Sequence, residues 1–151
     1  MICGEGTAVI DREPEEILEF VMDLHSYRKV DAKLGKIKWV KRDGDVAYVK
    51  FRPKLRNLPS PFLATQRVTM TPGKRIDVEN APSWLNRLAG FKGEFVCTRA
   101  DSGTLVRRKI CFTFAPPLKW LLEPYLRNWL ASDLQVEVDA TKKYLEKGRL
   151  A

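Results

Sequence analysis

The chain has 151 residues, 44% of them apolar and 30% charged, with a formal net charge of +8 from 27 Lys and Arg against 19 Asp and Glu. That length suits one domain, residues 1–151, with a real core. No apolar run approaches the length of a membrane-spanning helix. The excess of cations favours acidic partners as a class, whether nucleic acid, anionic lipid or acidic protein, without choosing among them.

Three cysteines, Cys3, Cys97 and Cys111, are an odd count without metal-like spacing, and they fit a reducing cytoplasm better than a disulfide framework. The opening MICGEGTAVIDREPEE lacks a basic start followed by an apolar run, so no secretory signal and a cytoplasmic location are expected.

In chain order, Gly4 to Asp11 reads as a short strand. Pro14, followed by Glu15 and Glu16, suits the first turn of a helix, and Ile17, Phe20, Val21 and Leu24 give it one buried face. His25-Ser26-Tyr27 breaks that run, and a second short helix is expected from Arg28 to Leu34. Three hairpins follow. Lys36–Arg42 and Asp45–Arg52 flank Asp43-Gly44, Phe62–Thr71 and Lys74–Asn80 flank Pro72-Gly73, and Phe91–Ala100 and Thr104–Phe114 flank Asp101-Ser102-Gly103. Between them, Pro53 to Pro61 holds three prolines and is expected to be irregular, and Ala81 to Gly90 has room for one helical turn. Both suit a rim or lid.

From Pro116 to Gly148 the pattern is that of one long helix with a wide apolar stripe. Pro116 and Pro117 suit its entry. Lys142, Lys143, Lys147 and Arg149 suit its exit, and Gly148 its stop. Pro124 predicts a kink or break. Strand, helices, six strands and a long helix make an α+β chain with a seven-stranded antiparallel sheet. Alternation puts Val49, Phe51, Val68, Met70, Ile76, Val78, Phe91, Phe95, Val106, Ile110, Phe112 and Phe114 on a covered face. Lys50, Arg52, Arg67, Arg107 and Lys109 fall on a wet, basic one.

This order resembles the START-like, or SRPBCC, superfamily, often labelled polyketide cyclase/dehydrase and lipid transport proteins. The resemblance runs through IDREPEEILEFVMDLHSYRKV, with Asp23 and Tyr27 in its Asp-x-x-x-Tyr turn, through the three hairpins, and into PPLKWLLEPYLRNWLASDL. It implies a helix-grip fold, a curved sheet wrapped around the C-terminal helix. It also implies an apolar cavity between the two that holds a lipid, isoprenoid or polyketide.

The site residues sought are polar groups on the covered face and aromatics near a cavity. Arg108 stands between Val106 and Ile110. It suits a ligand's carboxylate, enolate or phosphate, or else a structural ion pair with Asp133 or Glu137. Gln66 and Asn80 share that face, where hydrogen bonds to backbone are the plainer expectation. Phe51, Phe62, Val68, Phe95, Ile110 and Phe112 line the strands. Trp84, Trp120, Tyr125 and Trp129 complete the set, with Trp84 and Trp120 the better fits to a cavity mouth.

No catalytic residue is assigned. His25 has no companion nucleophile, Asp23, Asp31 and Asp133 form no metal-ligand spacing, and Gly4-Glu5-Gly6 precedes a strand rather than opening a phosphate-binding helix. No cofactor or metal is expected. The first reading of function is binding or transport of a hydrophobic small molecule by a monomer or weak dimer, with transient contact to anionic membrane and no specific nucleic acid. The alternatives are a cyclase/dehydratase working through Arg108, Asp133, Tyr125 or Tyr27, and a protein-interaction module such as a co-chaperone.

Overall fold

The structure, a computed structural model, describes residues 1–147. The expected stop at Gly148 and the cation at Arg149 lie outside the described residues. Strand β1 (Ile2–Ile10) leads into α1 (Pro14–Met22) and the single turn α2 (Leu24–Tyr27). Then come β2 (Leu34–Asp43), β3 (Val46–Leu55), β4 (Leu58–Pro59), β5 (Ala64–Thr71), β6 (Arg75–Asn80), β7 (Ala89–Ala100), β8 (Gly103–Phe114) and α3 (Leu118–Lys147). The antiparallel sheet runs β1-β8-β7-β6-β5-β3-β2, with β4 attached to β3.

The three predicted hairpins form with their turns where the sequence puts them. Gly44 and Gly73 take positive φ values of 62° and 73°, the backbone that glycine adopts without Cβ strain. Two elements differ from expectation. The second helix forms over Leu24–Tyr27 instead of Arg28–Leu34, because Asp23 starts it early: its carbonyl accepts from Tyr27 N at 2.8 Å, and its carboxylate accepts from the Ser26 hydroxyl at 2.8 Å. The proline-rich stretch is not irregular throughout. Arg56 and Asn57 turn with positive φ, and Leu55 pairs with Leu58 to make an eighth, two-residue strand.

The core has two parts. In the first, α1 and α2 pack Ile17, Leu18, Val21 and Tyr27 over Val49, Val68, Ile76 and Phe95. In the second, Leu126, Leu130 and Leu134 of α3 pack over Ile2, Ile110 and Phe112. So α3 covers the β1–β8 edge, and its end reaches the first cluster through Val138 and Leu145.

Its buried face is narrower than the predicted stripe. Leu126, Leu130, Leu134, Val138 and Thr141 are buried, while Leu121 and Val136 are 69% and 64% exposed. Pro124 lies inside the helix without ending it.

The Gly-x-Gly of β1 serves packing. A Cβ on Gly6 would stand 2.7 Å from the Leu134 carbonyl oxygen, and one on Gly4 2.9 Å from Ala131 N. These glycines let α3 lie directly on β1, where Gln135 donates to the Thr7 carbonyl at 2.9 Å and accepts from Thr7 N at 3.1 Å.

Two surface expectations are corrected. Cys3 and Cys111 face each other across the β1–β8 register with Cα atoms 4.1 Å apart, and they form a disulfide. Spacing in sequence could not show this, because 108 residues separate them. Cys97 is free and buried, and burial pushes its thiol up to about 12. The outer sheet face is mixed in charge rather than basic. Arg67 pairs with Glu79, Arg107 with Glu94 at 3.3 Å, and Arg75 with both Asp77 and Glu94. Among the described residues, no helix is long and apolar enough to cross a membrane.

Candidate functional site

An unfilled volume remains between the sheet and the start of α3. It is a cavity of about 400 Å³ under the first half of α3. Its walls come from β3, β5, β7 and β8, and its rim from the two connections 53–63 and 81–90. The lining is mainly apolar, and Asp31, Lys33, Gln66, Asn80 and Arg108 are among its polar groups. That composition is typical of sites that bind a mostly apolar molecule and orient one end of it.

Eight of the thirteen sequence-predicted site residues line this cavity: Phe51, Phe62, Gln66, Asn80, Arg108, Ile110, Phe112 and Tyr125. Val68 and Phe95 do not. They are closed into the first core cluster, where Phe95 meets the Tyr27 ring edge-on. Trp129 packs on the second cluster. Trp84 stands outside on the rim, 62% exposed and edge-on to Phe62 at 5.6 Å, and Trp120 is 70% exposed. Alternation separates the two faces of a strand but not core from cavity along one face, so it does not tell Val68 and Phe95 from the residues that line the chamber. Asn80 donates to the Ala89 carbonyl at 3.4 Å, the plainer of its two expectations.

The floor of the cavity opens on a buried charge network that sequence reasoning saw only in part. Arg108 Nε donates to Glu137 at 2.9 Å, so the ion pair foreseen for it exists, and Arg108 also faces the cavity. The Tyr27 hydroxyl donates to the same Glu137 oxygen. Lys33, not singled out from sequence, donates to Asp133 at 2.6 Å and to Glu137 at 2.7 Å, and lies 2.9 Å from Asp31. Asp31, Asp133 and Glu137 offer carboxylate oxygens within 4.8 Å of one another, a grouping of the kind that can hold a metal. Here the Lys33 ammonium bonds one oxygen of each, so the cluster already contains its cation. Sequence carried a faint signal for this network: Glu137 lies one helical turn after Asp133, on the same face.

Electrostatics sets Glu137 apart from Asp31. Burial by itself raises Glu137, but Lys33 and Arg108 outweigh it and hold the carboxyl down to about 2. For Asp31, burial dominates and the Glu137 charge adds to it, pushing the carboxyl up to about 6. Burial followed by Glu137 pushes Tyr27 well above its ordinary range. Burial opposes the charge on Lys33 and on Arg108, yet the surrounding carboxylates raise both. Asp31 and Glu137 are thus displaced in opposite directions within one network. His25 lies exposed in α2.

A curved antiparallel sheet with a long C-terminal helix over one edge defines a helix-grip α+β fold. The chain belongs to the polyketide cyclase/dehydrase and lipid transport family, whose model matches residues 1–146. No curated protein matches it in sequence.

Among solved structures, TTHA0849 from Thermus thermophilus aligns with a TM-score of 0.75 at 11% identity, over 97% of this chain and 98% of that one. The di-domain ARO/CYC StfQ from the steffimycin biosynthetic pathway aligns with a TM-score of 0.75 at 14% identity, over 99% of this chain but only 52% of StfQ. A START superfamily protein from Mycobacterium smegmatis aligns with a TM-score of 0.68 at 13% identity, over 95% of this chain and 98% of that one. At such identities the likeness is one of fold.

Proposed function

We propose that the chain binds and carries a hydrophobic small molecule, of the lipid, isoprenoid or polyketide class, in the cavity beneath α3. The observation that carries this reading is the cavity itself. Apolar side chains from four strands and a helix leave about 400 Å³ unfilled, with Lys33, Arg108, Gln66 and Asn80 among the polar lining. A pocket of that size falls in the range of small-molecule sites. Gln66 and Arg108 orient the polar end of the ligand, and Phe51, Ile110 and Phe112 hold its body. Membership of a family described by cyclase, dehydrase and lipid transport supports the ligand class.

The test is native mass spectrometry of the purified protein with identification of any released molecule, followed by titration with a fluorescent fatty acid and with a flavonoid. Ala64→Phe places a ring in the cavity from β5 and should abolish probe binding while the fold persists. Probe binding that is unchanged in Ala64→Phe would remove the cavity from the account.

A second reading rests on Asp31. A cavity carboxyl near 6, beside Arg108 and Lys33, suits a general acid or base at neutral pH. On this cyclase/dehydratase reading, Asp31→Asn keeps the affinity for a poly-β-ketone substrate and loses its turnover.

A further inference from the structure

Many of the chain's large exposed side chains collect at one place. Leu58 and Phe62 project from the 53–63 connection, Trp84 and Leu88 from 81–90, and Leu121 and Tyr125 from the first turns of α3. The structure ties these three segments together around the cavity. The Tyr125 hydroxyl donates to the Arg56 carbonyl at 3.1 Å, Trp84 meets Phe62, and Ala115 N donates to the Leu88 carbonyl at 2.9 Å.

The charges on the same segments are all of one sign. Lys54 and Arg56 lie in 53–63, Arg87 in 81–90 and Lys119 in 115–122, and none of these stretches contains Asp or Glu. The next acid along α3, Glu123, is buried and paired with Arg127 at 3.3 Å. On the outer face of the sheet, by contrast, Arg67, Arg75 and Arg107 are matched by Glu79, Glu94 and Asp77. The rim thus combines exposed apolar side chains with cations that have no acid in the same segments.

We propose that this rim docks on an anionic lipid bilayer, with the cavity mouth facing the membrane. Tryptophan, tyrosine and leucine projecting among lysines and arginines is the composition that partitions into the headgroup region. The apolar groups come singly from three backbone segments around an opening. A planar, fluid interface accepts such an arrangement without shape matching, whereas a protein partner needs complementary pockets. Each rim cation adds attraction to an anionic leaflet. The proposal deepens the carrier reading by naming the surface from which the cavity is loaded, and it depends on that reading for its purpose but not for its test.

The experiment is flotation of the full chain with vesicles of phosphatidylcholine alone and of phosphatidylcholine with phosphatidylglycerol. The wild type should float with the anionic vesicles and release as salt is added. Arg87→Ala and Lys119→Ala should each weaken partitioning about fivefold. Trp84→Ser with Leu121→Ser should weaken it at least about tenfold. None of these four side chains lines the cavity, and all are exposed, so circular dichroism should show an unchanged fold.

Lys92→Ala with Lys109→Ala, on the outer sheet face, should leave partitioning near the wild-type value. If that pair weakens it as much as the rim variants do, the attraction is a diffuse effect of net charge and the proposal fails. It fails equally if the wild type floats with neither vesicle, or if an acidic protein protects the rim from labelling while vesicles do not. Titration with the fluorescent fatty acid in free solution separates this from the carrier reading. Rim variants that keep probe binding and lose flotation support docking, and a wild type that floats without binding any probe supports docking while removing the carrier.

Discussion

Arg108 on β8 and Glu137 on α3 are joined by a 2.9 Å hydrogen bond in the buried floor of the cavity, although 29 residues separate them. The same carboxylate also accepts from Lys33 and Tyr27, so it is the one anion that both buried cations share. Removing its charge leaves Lys33 and Arg108 undercompensated away from water. Glu137→Gln should therefore cost about 3–5 kcal/mol in urea unfolding at neutral pH. The wild type should also lose this contribution in acid. The carboxyl lies below its ordinary 4.5, at about 2, so the stability it confers is complete above 4.5 and disappears as pH falls through that interval. Glu137→Gln should lack this part of the acid sensitivity.

Asp31 has the opposite sign. Its carboxyl is raised from 3.8 to about 6, so within that window the folded chain holds more proton than the unfolded chain. Its contribution to stability therefore declines as pH rises from 3.8 to 6 and stays low above. Asp31→Asn keeps an oxygen to accept from Lys33 N, a bond of 3.0 Å in the native protein. Relative to wild type, the variant should gain on the order of 2–3 kcal/mol between about pH 4 and about pH 7. Guanidinium unfolding at several pH values reads this directly. A change in the other direction would mean that the Lys33 pair, not burial, governs Asp31.

Gly6 lets α3 rest on β1. The nearest helix atoms to a Cβ there are backbone, the Leu134 oxygen at 2.7 Å and Gln135 N at 2.8 Å, and backbone cannot rotate aside. Gly6→Ala should destabilise the protein by about 1–3 kcal/mol, the usual range for overpacking. Gly44→Ala is an informative partner, because nothing lies within 4 Å of its Cβ position and any cost arises from positive φ alone. Thermal unfolding of both variants separates contact from backbone strain.

The Cys3–Cys111 disulfide joins β1 to β8 across 108 residues of chain. Closing a loop of that length restrains the unfolded state strongly. Cys3→Ser should lower unfolding free energy by about 2–5 kcal/mol. Reductant should lower the melting temperature of the wild type and leave that of Cys3→Ser unchanged.

Much of the fold was written locally. Asp43-Gly44 and Pro72-Gly73 make turns because glycine accepts positive φ. Pro14 with Glu15 and Glu16 starts α1, and alternation in β8 separates Val106, Ile110 and Phe112 from Arg107 and Lys109. Each of these signals lies within a few residues of what it controls. The family resemblance summed them over nearly the whole chain.

What only the tertiary structure decided involves residues far apart in sequence. Lys33 joins Asp31 to Asp133 and Glu137 only because α3 folds back beside the start of β2. Cys3 meets Cys111 only through strand register. Val68 and Phe95 are closed into the core while Phe51 and Phe112 also border the cavity, although all four obey the same alternation. A strand's period of two tells which way a side chain points. Whether it meets another side chain or empty space depends on where the helices come to rest, and that is fixed by packing across the whole domain.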